Sequence, residues 1–234
     1  MWIKFARGDK DQLKSFLHYD DTVLVKWITC EVMDRRGFDR GQRAWAAPRD
    51  APGLLGQGGG WSLRTPGTAH IFASWADRAG YQAFMDGQHD AIAGSQAATY
   101  ASIRVQLLEH LLDIGRPADA GFPDASLLRL AHCRVRPARA THFVSAQEAV
   151  WNPGMATAPG MLGGLFAQAT DTEFLVLSMW RSAADHQRYQ AKDFPRLRRQ
   201  AAAAEDLAEI TGDLVQIEQE WSVRPADADH TSPQ

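Results

Sequence analysis

Two stretches of this chain repeat one another, in the same order, about a hundred residues apart, and this limits its folding more than any single motif does. Residues 23–32 (VLVKWITCEV) set over 126–135 (SLLRLAHCRV), so that Cys30 meets Cys133 and Lys26 meets Arg129. Phe38, Gln42, Ala44 and Trp45 match Phe143, Gln147, Ala149 and Val150. The run 51–56 (APGLLG) matches 158–163 (APGMLG), Trp75 matches Trp180, and Val105-Gln106-Leu107 matches Val215-Gln216-Ile217. The offset drifts only from 103 to 110, a range that short loop insertions accommodate.

Each copy reads as strand, helix, strand, strand, helix, strand. In the first copy, Val, Ile, Trp and Thr make 23–32 a strand. A helix carries Phe38, Gln42 and Trp45 about one turn apart, and Pro48 and Pro52 end it. Strands near 54–62 and 68–75 flank the Pro66-Gly67 turn. Asp77 caps a second helix striped with Tyr81, Phe84, Met85 and Ile92, and a strand near 103–112 closes the unit. The second copy gives a strand at 126–135, a helix at 139–151, strands at 162–169 and 173–180, a helix at 182–204 and a strand at 213–222. The chain divides into an extension (1–20), a first repeat (21–115), a Gly/Pro-rich linker (116–124), a second repeat (125–223) and a disordered tail (224–234). The expected class is α+β. A four-stranded sheet with both helices on one face must bury its other face, and the sister sheet is the natural cover.

Composition narrows the function classes. Charged residues make up 23% and the net charge is −3, with no basic patch, so no nucleic-acid partner is expected. No run approaches the length of a membrane span, and Lys10, Asp11 and Lys14 interrupt any leader-like core at the N-terminus. Two cysteines without metal-type spacing imply a reducing, cytoplasmic setting, and no metal-ligating or cofactor-binding residues are assigned.

The strand-one motif, the Pro-Gly-[Leu/Met]-Leu-Gly turn and the Trp closing strand three together resemble the dimeric α+β barrel superfamily, the antibiotic-biosynthesis-monooxygenase-like proteins. The first copy is similar to an uncharacterised bacterial branch of it, through Lys26–Val32 (KWITCEV), the glycine-rich 56–61 (GQGGGW), Phe84-Met85 and His89-Asp90. The resemblance implies two tandem ferredoxin-like βαββαβ units packed sheet to sheet as an intrachain barrel, a monomer with pseudo-dimeric symmetry for which a homodimer stays open. Haem-degrading members need an Asn, a Trp and a His. Their positions here fall near Thr29 and His132, Phe84 and Tyr189, and Gly94 and Arg199, so that constellation is not expected.

The candidate chemistry lies in the first copy. His89 follows Met85 by four residues and Tyr81 by eight, which puts an imidazole beside any cavity between helix and sheet, as a base or hydrogen-bond donor. Phe194 takes its place in the second copy. A structural histidine at the cavity rim is the competing reading. Trp27, Trp61, Phe72, Tyr81 and Phe84 are the expected substrate-binding residues of one pocket, against the plainer reading of aromatic core. The glycines before Trp61 suit either a close-packed bent strand or a flat ligand. Strand alternation leaves open which face Lys26, Arg129 and His132 occupy. Two functions follow. One is a cofactor-independent, monooxygenase-like enzyme acting on a small aromatic or conjugated molecule. The other is a non-catalytic, stress-related or ligand-binding protein holding a small hydrophobic ligand.

Overall fold

A computed structural model describes residues 22–116 and 125–225. The expectations for 1–20, for nearly all of the linker and for most of the tail lie outside the described residues. The elements are β1 (Leu24–Val32), α1 (Arg35–Ala44), β2 (Leu54–Ser62), β3 (Thr68–Trp75), α2 (Arg78–Gly87), α3 (His89–Gly94) and β4 (Tyr100–Asp113). The second copy repeats them as β5 (Leu127–Val135), α4 (Ala140–Ala146), α5 (Asn152–Ala156), β6 (Met161–Thr170), β7 (Glu173–Trp180), α6 (Ala183–Lys192), α7 (Phe194–Gln200), α8 (Ala203–Asp206) and β8 (Leu207–Ile217). Among the described residues no helix is long and apolar enough to cross a membrane.

The eight strands close into one barrel in the order β1-β3-β2-β8-β5-β7-β6-β4, the two α+β units joined by antiparallel seams at β2–β8 and β4–β6. Closure buries each sheet's inner face and leaves the helices outside. Alternation then sorts every strand. Val25, Trp27, Phe72 and Leu108 meet Leu128, Leu130, Leu165 and Leu175 inside the barrel. Leu24 and Trp75 of the opposite parity pack against Tyr81 and Phe84 of α2. Asp77 accepts the Gly80 amide at 2.7 Å to cap α2, and Ser182 does the same for α6 through the Asp185 amide.

Three expectations are corrected. The second helix of each copy is broken, so His89 opens α3 instead of continuing α2. In the second copy Pro195 starts α7, and left-handed Ala202 separates α7 from α8. The last strand of that copy starts earlier and ends at Ile217, and the true register pairs Lys26 with Leu107 and Arg129 with Leu214. The matched triplets 105–107 and 215–217 are therefore three residues out of step. Trp45 answers to Trp151, not Val150, because a π-turn at Gln147–Trp151 adds one residue.

Beyond β8 the chain crosses back to the first copy. Trp221, fully buried, packs on Phe38 and Trp61 and donates its indole N–H to Asp39 at 2.8 Å. Val223 pairs with Gln57 through both backbone bonds and joins the Leu24–Trp75 core. The first copy reciprocates. Ile114 lies in the second copy's helix-side core, its amide bonded to Gly164. Each half thus finishes the packing of the other.

The glycine-rich stretch of β2 serves the seam. A Cβ at Gly60 would overlap the Gln216 carbonyl across β2–β8, and one at Gly59 would meet the His70 carbonyl. Gly60→Ala is expected to cost ~1–3 kcal/mol, read as a lower urea midpoint at unchanged slope. An unchanged midpoint would mean that the seam is not this close.

Candidate functional site

The helix side of the first copy encloses a cavity of about 410 Å³ between β1–β3 and helices α1–α3, within the range of small-molecule sites. Its walls are apolar: Trp45, Leu54, Ile71, Trp75, Phe84 and Met85 among them. Val223, from the far end of the chain, supplies part of the rim.

A few polar groups converge on it. Lys26 has the parity of Leu24, Ile28 and Cys30, so β1 points it to the helix side. It is 6% exposed, sits 5.4 Å over the Tyr81 ring, and touches the Met85 sulfur at 3.8 Å. No carboxylate lies in ion-pair range of it among the described residues, and burial pulls its pKa down to about 8. Among the described residues the indole N–H of Trp75 and the side-chain amide nitrogen of Gln57, both cavity-lining, are buried without a hydrogen-bond partner, as is the Gln42 amide oxygen. Gln42 is held by its nitrogen, which donates to Gln96 at 3.3 Å; Gln96 also receives the Trp45 indole at 3.2 Å. Buried polar groups are normally satisfied, so two donors and an acceptor left open on one cavity, beside an ammonium whose hydrogen-bond partner is a weak thioether, are a strong local signal.

The second copy shows that the signal is not inherited from the fold. There Trp180 donates its indole N–H to Ser178 at 3.0 Å. The position of Ser178 is Ala73 in the first copy, which leaves Trp75 open. By the same registers Gly164 takes the position of Gln57 in the second copy, with no side chain to offer.

His89 lines this cavity at its rim, T-shaped to Phe84 and 5.7 Å from Trp45. Its Nδ1 lies 2.9 Å from the exposed Asp90 carboxylate, and donation there leaves Nε2 as an acceptor. Phe194 stands in the same position between Tyr189 and Trp151. Cys30 shares the cavity, but burial raises its thiol to about 12, which makes it wall and not nucleophile.

Of the aromatic residues expected in this pocket, Tyr81 and Phe84 line it and the other three do not. Trp27 and Phe72 have the opposite strand parity and stack on one another inside the barrel. Trp61 faces the helices but is sealed against Phe38 and Trp221, with the Arg35 guanidinium 4.0 Å over its ring. The sequence leaves the face of Lys26 open and assigns no binding role to Gln57, Trp75 or Gln42. Parity with the matched cysteines was the available clue for Lys26, and the Ala73/Ser178 difference was the clue for Trp75.

A second polar cluster sits at the barrel mouth, beside a cleft of about 530 Å³. Trp27 donates its indole N–H to His70 Nδ1 at 3.2 Å, so His70 carries its proton on Nε2, 3.1 Å from Asp213. Ser62 donates to the same carboxylate at 2.6 Å. Burial holds the His70 pKa below its ordinary value, and Asp213 opposes this only in part. With both ring nitrogens used, His70 is neutral and fastens the two copies together. His132, also inward, meets the Trp27 ring edge-on.

The model of a domain of unknown function, DUF4937, matches residues 24–108, and that of the antibiotic biosynthesis monooxygenase family matches 126–194. The uncharacterized protein YdbC of Bacillus subtilis (strain 168) is 34% identical over 93 residues, 37% of this chain and 78% of that protein. Among solved structures, a candidate monooxygenase of Lactobacillus acidophilus NCFM superposes with a TM-score of 0.69 at 14% identity, over 87% of this chain and 97% of that one. An anthrone oxidase-like protein gives 0.63 at 13% identity, over 92% and 98%. At these identities the structures establish a common fold, and coverage that high spans both copies.

Proposed function

We propose that this chain, which belongs to the antibiotic-biosynthesis-monooxygenase-like α+β barrels and carries a DUF4937 first repeat, oxygenates a small hydroxylated aromatic or conjugated molecule in the first-repeat cavity without a resident cofactor. The observation that carries this reading is the convergence on one apolar cavity of Lys26, bonded only to the weak Met85 sulfur among the described residues, with the Trp75 indole and Gln57 amide, whose donors have no partner there. Such a set stabilises an oxyanion, and the open Gln42 oxygen suits a hydroxyl on the same ligand. The match to the antibiotic biosynthesis monooxygenase family model and a fold neighbour named as a monooxygenase support the reaction class and leave the substrate open.

The chemistry runs as proton removal followed by oxidation. His89 Nε2 takes a proton from a phenol or an activated methylene, and Asp90 steadies the resulting imidazolium. The substrate anion, its charge delocalised and held by Lys26, is electron-rich enough to react with dioxygen. For a methylene, one oxygen atom ends as the new carbonyl and the other leaves as water. The apolar walls keep the anion out of bulk solvent, where the same donors would count for much less.

Oxygen uptake with a panel of phenols and activated methylene compounds tests this. His89→Ala is expected to lower kcat/KM about 10²–10⁴-fold, the usual worth of a positioned acid–base group. Full turnover by His89→Ala would overturn the role of His89. Tight binding of the panel with no oxygen uptake by the native protein would favour the ligand-carrying alternative.

A further inference from the structure

The geometry points to a second binding site, in the helix-side cavity of the second repeat, for a small apolar monocarboxylate held by the Arg129 guanidinium. The site is separate from the first-repeat cavity and does not depend on the reaction proposed there.

The cavity measures about 230 Å³, below the range typical of drug-sized ligands, so it suits a single ring or a short branched chain. Trp151 and Phe194, 5.5 Å apart, form an aromatic wall, and Met155 and Val176 extend it. Cys133, its thiol pushed up to about 11 by burial, acts as one more apolar surface. Into this setting β5 projects Arg129, the counterpart of Lys26.

Arg129 has no carboxylate to answer its charge among the described residues. It is half-buried, and desolvation depresses its pKa, Tyr189 and Cys133 opposing this only in part, even though guanidinium groups rarely shift. No carboxylate is within ion-pair range of it and no acceptor bonds it among the described residues. The neighbouring charges compound the excess. Arg198 lines the same cavity, and Arg64 acts on Arg129 from the β2 end. His186, 4% exposed at the position of Tyr81, has an unpartnered Nε2 and is kept neutral by burial and by Arg129 itself, its pKa near 4.

An isolated buried charge is strongly unfavourable, and a chain that keeps one on the wall of an empty space has left room for its counterion. The planar fork of Arg matches a carboxylate bidentately. Trp151, Phe194, Met155 and Val176 suit an apolar body behind one anionic head, which favours a carboxylate on a ring or short branched chain. The two repeats have thus diverged toward different ligands: a hydroxylated, oxyanion-bearing one in the first and a plain carboxylate in the second.

Benzoate is the probe, titrated into the full chain by calorimetry and thermal melting, with benzyl alcohol as its uncharged match. Benzoate is expected to bind and to raise the melting temperature, and benzyl alcohol to bind at least tenfold more weakly. Arg129→Met is expected to melt higher than the native chain without ligand and to lose at least tenfold in benzoate affinity. Lys26→Met should keep that affinity. Should Arg129→Met fold poorly, Arg129→Lys keeps the charge without the fork and is expected to bind several-fold more weakly. No benzoate binding by the native chain, equal binding of benzyl alcohol, binding untouched by either Arg129 change, or binding lost in Lys26→Met instead would each overturn the assignment.

Discussion

Trp221→Ala is expected to remove ~3–5 kcal/mol of stability, the range for truncating a fully buried aromatic residue, and to lower the melting temperature by about 10 °C in a chain this long. The side chain fills the space between Phe38 of α1 and Trp61 of β2, and its indole N–H is spent on Asp39. Losing it opens a void in the first repeat although the residue follows the last strand of the second. Trp221→Phe keeps most of the volume and loses one hydrogen bond, so about 1–2 kcal/mol is expected there. Both changes should shift the unfolding of the whole chain in one transition, since the void and the missing strap lie in different repeats. A loss under ~1 kcal/mol for Trp221→Ala, measured by urea unfolding, would show that the C-terminal turn does not dock on the first repeat.

Lys26→Met is expected to do two opposite things at once. It should lower turnover of any oxygen-consuming substrate about 10²–10³-fold, as loss of an oxyanion donor does. It should also stabilise the ligand-free protein at neutral pH, because the cation sits unpaired among Ile28, Trp75 and Tyr81. The pH dependence separates the two effects. The folded state releases the Lys26 proton near pH 8, whereas the unfolded chain holds it to about 10.5. Between those values the unfolded state binds more protons, so stability rises with pH, by up to about 3 kcal/mol if nothing else titrates. Below pH 8 both states are charged and the penalty is constant. The buried thiols of Cys30 and Cys133, raised to about 12 and about 11, work the other way above about pH 9, so Lys26→Met should lose stability there, and the native chain minus Lys26→Met isolates the lysine's rise. A native-minus-variant difference that does not change from pH 8 to 10.5 would mean that Lys26 reaches solvent, and the oxyanion role would fall with it.

Much of the architecture was legible because duplication doubles every local signal. β2 and β3 run over 54–62 and 68–75 as read, since Pro66-Gly67 and the flanking β-branched and aromatic residues admit little else. The match of His89 with Phe194 also holds in three dimensions, because both copies place an aromatic pair around that position. Legibility failed wherever the answer depended on a partner distant in sequence. Trp27 and Phe72 look like ligand-facing aromatics until β1–β3 pairing fixes their parity with Val25 and sends them inward. The Val-Gln-[Leu/Ile] triplets align by eye, yet backbone pairing sets the register three residues away. Trp75 as an open donor needed a comparison one strand position over, at Ala73 and Ser178, where the difference is a single oxygen atom.

The crossing of each terminal segment onto the opposite half has a consequence for synthesis. Val223 helps enclose the cavity that Lys26 and His89 line, so a ribosome must deliver the chain through residue 223, and with it all of the second repeat, before that cavity closes. A nascent first repeat emerges with the apolar surface around Phe38, Trp61 and Trp75 uncovered, and has only a loose version of its own site. A chain stopped before residue 218 lacks Trp221 and Val223, and is expected to leave that cavity open on one side.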